Sequence, residues 1–228
     1  MKLYIDSAVH SEWKLPPGCP APQGVTTNPT LVLRARLPVS LPSYLRLLAQ
    51  AGDYGLPELM LQLPYTDVHQ GLVWLDALQA AAARAGVHLT IKLPCHADWE
   101  PLLRAVRARD VPVLLTGVAN PVQLLWATQM GAAYVAPYLG RLEAAGRDVW
   151  ALVAACVAVQ AQGTGLLAAS VKTPDVLTKL IAAGAAAATL QPALIASLAT
   201  DSIGKGSLRS GARQQQPQAA DQQKHQQE

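Results

Sequence analysis

The chain has 228 residues, 51% apolar and 14% charged, and 18 basic against 15 acidic side chains leave a net charge of +3. The length suits one large domain or two small ones, and a charged fraction well under the usual ~25% predicts a sizeable core and a surface partly covered by other copies, a homo-oligomer of unstated size. No Lys/Arg run reaches five, no apolar stretch is long enough for a membrane span, and Cys19, Cys95 and Cys156 are scattered without a CxxC, so neither nucleic acid, membrane, disulfide framework nor zinc is indicated.

The first ten residues, MKLYIDSAVH, enter a strand directly and do not read as a signal peptide, which predicts a cytoplasmic protein. Short apolar strands follow one another at LYID (3–6), GVTTN (24–28), ELMLQL (58–63) and LTIKLP (89–94). Four more are expected at PVLLTGV (112–118), YVAPYL (134–139), TGLLAAS (164–170) and AATLQ (187–191). Amphipathic segments lie between most of them. Val68, Leu72 and Leu75 share one helical face in a segment ending on Gly86, and Trp99, Leu102, Leu103 and Val106 share another. Asp67, Asp98 and Asn120 stand where N-caps are expected. The first connection departs from this scheme. Pro16, Pro17, Pro20 and Pro22 fall within KLPPGCPAPQ, which confines any helix there to about residues 7–14.

Eight strand–helix units in this length predict a single (β/α)₈ barrel over residues 1–203. An open doubly wound sheet is disfavoured, because no GxGxxG follows the first strand. From Gly204 the composition turns to Gly, Ser, Arg and Gln, and residues 204–228 read as a low-complexity, disordered tail.

In such barrels the reacting groups come from the C-terminal ends of the strands. Asp6 closes the first strand, and Thr26, Thr27 and Asn28 close the second. Gln62, Lys92 and Thr116 lie in the third, fourth and fifth, while Tyr138 and Ser170 finish the sixth and seventh. Alternation along each strand puts Lys92 with Thr90, Gln62 with Met60, Thr116 with Leu114 and Tyr138 with Ala136. Lys92 is the odd residue. It sits inside an apolar strand, where desolvation disfavours its ammonium form. An amine of lowered pKa among hydroxyl-binding groups, with no metal-ligand spacing and no GxSxG elbow, is equipment for Schiff-base chemistry on a carbonyl compound.

The segments LYID, GVTTNPT, LQLP, TIKLP, YVAPYLGRLE and LLAASVKTP, in that order, resemble the small transaldolases and fructose-6-phosphate aldolases, class I aldolases on a (β/α)₈ barrel. The resemblance runs from residue 3 to about 192. It implies that Lys92 forms the Schiff base with a ketose phosphate, with no cofactor and with small sugar phosphates as the partners. It also implies that Asp6 and Asn28 hold substrate hydroxyls, with Thr26 beside them, and that Thr116 positions a water. Arg141 and Ser170 match the phosphate-binding pair, with Lys172 adding charge.

Gln62 and Tyr138 resemble the aldolase branch, in which Tyr138 shuttles protons. LGRLE and Asn120 resemble the transaldolase branch. The expectation is therefore an aldolase cleaving fructose 6-phosphate to dihydroxyacetone and glyceraldehyde 3-phosphate. A transaldolase and a non-catalytic sugar-phosphate-binding protein remain as alternatives. Cys95 and His96 depart from the small or hydroxyl residues usual after the KxP motif. Cys95 reads as structural and His96 as an exposed loop residue.

Overall fold

The computed structural model describes residues 1–200, so the end of the predicted barrel domain and the predicted disordered tail at 204–228 lie outside the described residues. Eight parallel strands close on themselves in sequence order: β1 (Lys2–Asp6), β2 (Gly24–Thr26), β3 (Glu58–Gln62), β4 (His88–Pro94), β5 (Val113–Thr116), β6 (Tyr134–Ala136), β7 (Gly165–Ala168) and β8 (Ala187–Leu190). The expected (β/α)₈ barrel is the observed fold. The helices that matter to the site are α1 (Pro29–Arg34), after β2, and α6 (Leu139–Ala144), after β6.

The strands are shorter than expected at the C-terminal end. β2 stops at Thr26, β6 at Ala136 and β7 at Ala168. Thr27, Asn28, Tyr138 and Ser170 therefore lie in the loops beyond their strands. Proline explains two of these endings. Pro29 and Pro137 cannot donate to a ladder, and Pro29 instead opens a helix.

Helix starts follow local chemistry. Asn28, Asp67 and Asn120 each cap their helix by accepting from the backbone N–H three residues on. Gly86, at φ 67°, ends α3 (Val68–Ala85) in the left-handed region that glycine enters freely. Asp98 does not cap. It lies in a 3-10 turn, Ala97–Trp99, and α4 (Glu100–Arg107) starts only afterwards, with Pro101 in its first turn. The tight turn moves the helix start beyond the reach of the carboxylate, and His96 Nδ1 accepts the Asp98 N–H at 3.3 Å. In the first connection the only helical piece is a 3-10 turn, His10–Trp13, inside the expected window. The prolines after it cover the N-terminal end of the barrel, where Pro20 and Pro22 line an apolar groove with Leu3, Ile195 and Leu198.

Two cores result. Outward strand residues such as Ile5, Leu59, Ile91 and Leu93 are fully buried against the helices. The inward set, Tyr4, Met60, Leu114, Ala136, Leu167 and Ala187, fills the barrel. Its N-terminal floor is polar. Glu58 is buried there, accepting from the Tyr4 hydroxyl at 2.7 Å and the Thr90 hydroxyl at 2.6 Å. This satisfied carboxylate closes the barrel beneath the site.

β2 can run this close to β3 only because residue 24 lacks a side chain: a Cβ there would stand 2.1 Å from the Glu58 carbonyl oxygen. Backbone cannot yield as a side-chain tip can. Gly24→Ala is expected to destabilise by about 3 kcal/mol, lowering the Tm by roughly 6–12 °C at this chain length. A thermal melt within roughly 2 °C of wild type would show that the strands part without cost.

Candidate active site

The C-terminal ends of the strands surround a cavity of about 670 Å³. Lys92 lines it from β4, buried to 7% exposure, with Asp6 from β1 and Gln62 at the end of β3. The opposite wall carries Thr116, Tyr138, Arg141, Ser170 and Lys172. Asn28 lines the mouth beside α1. All these residues were expected at one site from the sequence, and they share one cavity. Thr26 is the exception. It is fully buried below the cavity, donating to Asp6 Oδ1 at 3.0 Å and pairing with Thr189 Oγ1 at 2.7 Å, so it supports the carboxylate from beneath.

The Lys92 amine donates to the backbone carbonyl of Thr27 at 2.6 Å. No salt bridge joins it to Asp6 among the described residues. Burial drives its pKa down from 10.5 to about 8, with the Asp6 charge opposing. Asp6 moves the other way: burial raises its pKa, against Lys92, the Thr26 hydrogen bond and Arg34. The two shifts agree, since each group is drawn toward its neutral form. At pH 7 roughly a tenth of Lys92 is then an unprotonated amine, against roughly 0.03% for an ordinary lysine.

Thr116 Oγ1 donates to the Tyr138 hydroxyl in a very short contact, and Tyr138 bridges in parallel to Ala169 beyond the strand ends. Gly117, at φ 80°, passes beneath the ring. Arg141 lies over the other part of the same ring, its guanidinium carbon 4.6 Å from the centroid. Ser170 holds φ 61°, a left-handed conformation that costs a non-glycine residue of order 1–3 kcal/mol. Such strain at the rim places the hydroxyl where an extended strand end would not. Asn28 spends its side-chain oxygen on the α1 cap, which leaves the amide NH₂ as its donor toward the cavity.

Three lining residues were not foreseen: Arg34, Thr189 and Gln191. Thr189 was accessible to the alternation argument, because it shares a face with Ala187. Arg34 was not, since its place depends on how a short helix returns to the rim. Cys95 is buried, with burial pushing its thiol up to about 11, and His96 is exposed, as expected. No group of three or more His, Cys, Asp or Glu is arranged to hold a metal among the described residues, and no described helix is long and apolar enough to cross a membrane.

The lowered pKa of Lys92 has a signature in stability. Between about pH 8 and 10.5 the unfolded chain binds the lysine proton and the folded one releases it, so this site favours folding more as pH rises through that window. The penalty, about 3 kcal/mol from the shift, is full below pH 8 and gone above 10.5. The stability difference between Lys92→Met and wild type should therefore shrink by about that amount from pH 7 to pH 11. A difference flat in pH, by denaturant titration, would contradict a depressed lysine.

Residues 76–228 match the sequence model of the transaldolase/fructose-6-phosphate aldolase family. A probable transaldolase of Exiguobacterium sibiricum is 30% identical over 202 residues, which cover 87% of this chain and 90% of that protein. One from Rhodospirillum centenum is 29% identical over 202 residues, covering 87% and 84%. Among solved structures, a cube-shaped porous protein cage designed by fusing symmetric oligomeric domains aligns with a TM-score of 0.54 at 17% identity, over 94% of this chain and 77% of that one. A mandelate oxidase aligns at 0.51 and 20% identity over 82% of this chain, which spans less than two thirds of the oxidase, 62%. At such identities the structural likeness concerns the fold alone. The sequence matches go further: the chain belongs to the transaldolase/fructose-6-phosphate aldolase family.

Proposed function

We propose that the chain is a class I, Schiff-base aldolase that cleaves fructose 6-phosphate to dihydroxyacetone and glyceraldehyde 3-phosphate. The observation that carries this reading is the buried Lys92 amine, pKa about 8, facing a cavity that also holds Asp6 and Tyr138. Unprotonated Lys92 Nζ adds to the C2 carbonyl. Protonation of the C2 oxygen and loss of water leave an iminium ion. Asp6 takes the proton from the C4 hydroxyl, the C3–C4 bond breaks, and its electrons neutralise the iminium as an enamine. Glyceraldehyde 3-phosphate departs from the side of Arg141, Ser170 and Lys172, whose charges and hydroxyl suit its phosphate. Protonation of the enamine at C3 and addition of water then free dihydroxyacetone from Lys92.

The last two steps distinguish an aldolase from a transaldolase, and Tyr138 bears on them. Its phenol, coupled to the Thr116 hydroxyl, is a proton source for the enamine and a site for the hydrolytic water. Gln62 contributes a neutral amide at the end of β3. The second reading, a transaldolase that hands the dihydroxyacetone unit to an acceptor aldehyde, is favoured by the description of the relatives as probable transaldolases. Sugar phosphates are the proposed partners in either case, in a homo-oligomer that accounts for the low surface charge.

The two readings separate on release of free dihydroxyacetone from fructose 6-phosphate without an acceptor. The aldolase releases it alone, whereas turnover that requires erythrose 4-phosphate identifies the transferase. Tyr138→Phe is expected to slow acceptor-free release by about 10²-fold while slowing transfer less, because the enamine then survives to meet an acceptor. Equal loss of both activities would deny Tyr138 the proton-transfer role. Arg141→Ala should raise KM for fructose 6-phosphate by about tenfold or more with little effect on kcat, and a KM within a factor of about two would move the phosphate elsewhere.

A further inference from the structure

The cavity holds more positive charge than one phosphate uses. Arg34, Lys92, Arg141 and Lys172 all line it, against the single carboxylate of Asp6, and none of the four forms a salt bridge among the described residues. Arg141 and Lys172 are neighbours, since Lys172 lies against the backbone of Gly140, its Nζ 3.5 Å from where a Cβ would be. Arg34 stands apart from them. It ends α1, which follows β2, and β2 is four strands from β6 in a closed barrel of eight. The two cationic groups therefore face each other across the mouth, with Lys92 on β4 midway between them. Arg34 also lies close enough to the Asp6 carboxylate to oppose the effect of burial on it.

The reacting carbon is fixed at Lys92. On the reading above, the substrate chain runs from there to a phosphate at Arg141, and C1 then points the other way, toward Arg34. We propose that Arg34 forms a second anion subsite, which receives a phosphate ester on C1. The substrate class is then extended to ketoses phosphorylated at C1 or at both ends, and to dihydroxyacetone phosphate as donor. The chemistry is unchanged: Lys92 Nζ bonds to C2 with loss of water, the C4 hydroxyl proton leaves as C3–C4 breaks, and the enamine on Lys92 carries the C1 phosphate. An arginine fork suits that phosphate, and the absence of a salt-bridge partner among the described residues leaves its donors available to it. This inference rests on the Schiff-base reading of Lys92.

The test is borohydride reduction of the full chain in graded dihydroxyacetone and, separately, dihydroxyacetone phosphate, with the adduct quantified by intact mass. Wild type is expected to half-saturate with the phosphorylated ketone at a concentration about tenfold lower or better. Arg34→Gln should bring the two concentrations together, and Arg34→Lys should restore part of the preference. Adduct formation with no preference for the phosphate in wild type would overturn the subsite while leaving the Schiff base intact. A preference that survives Arg34→Gln but falls in Arg141→Ala would also overturn it, by sending the phosphate to the other wall. Absence of any adduct with either ketone would instead remove the Schiff-base reading, and the subsite with it.

Discussion

The Lys92 amine lies at 7% exposure inside the barrel and has the Thr27 carbonyl as its hydrogen-bond partner, 2.6 Å away. A carbonyl oxygen supplies partial charge, less than the ammonium loses with its water, so the neutral amine becomes accessible near physiological pH. Much of the surrounding architecture serves to keep that amine in place and dry. Ile91 and Leu93, on either side, anchor β4 in the outer core. Met60 and Leu114 pack inside the barrel, and Thr90, two residues below the lysine, is tied to Glu58.

The barrel turns this local constraint into a site with direction. Strand order alone places Asp6 near the rim of β1, Lys92 a quarter of the circumference from β2, and the Tyr138–Arg141 wall across from α1. A substrate held at its C2 carbon thus meets different chemistry on each side: hydroxyl and phenol with fixed cations on one, a carboxylate with a single arginine on the other. Specificity then depends on which substituents sit on either side of the reacting bond, and it can change without disturbing Lys92.

The fold was largely legible in the sequence because strand–helix alternation, N-caps such as Asn28 and Asn120, and the glycine end at Gly86 are local signals. Asp98 was misread because a 3-10 turn before α4 looks, in sequence, like the start of the helix. The inward faces were legible too, since side-chain alternation placed Lys92, Gln62 and Thr116 together without any knowledge of the barrel. What alternation cannot reach is anything set by loop geometry. The positive φ of Ser170, the capping of α1 by Asn28, and the return of Arg34 to the rim all depend on how chain leaves a strand. Glu58 was hidden for another reason: a carboxylate near the start of a strand reads as exposed until Tyr4 and Thr90 are seen to hold it.

The central claim is that Lys92, and no other lysine, becomes covalently attached to substrate. The most direct measurement is borohydride reduction in the presence of fructose 6-phosphate, followed by peptide mapping. The account predicts a reduced dihydroxyacetone adduct on the peptide containing TIKLP, absent in Lys92→Met. An adduct confined to another lysine, or none from folded protein, would contradict it.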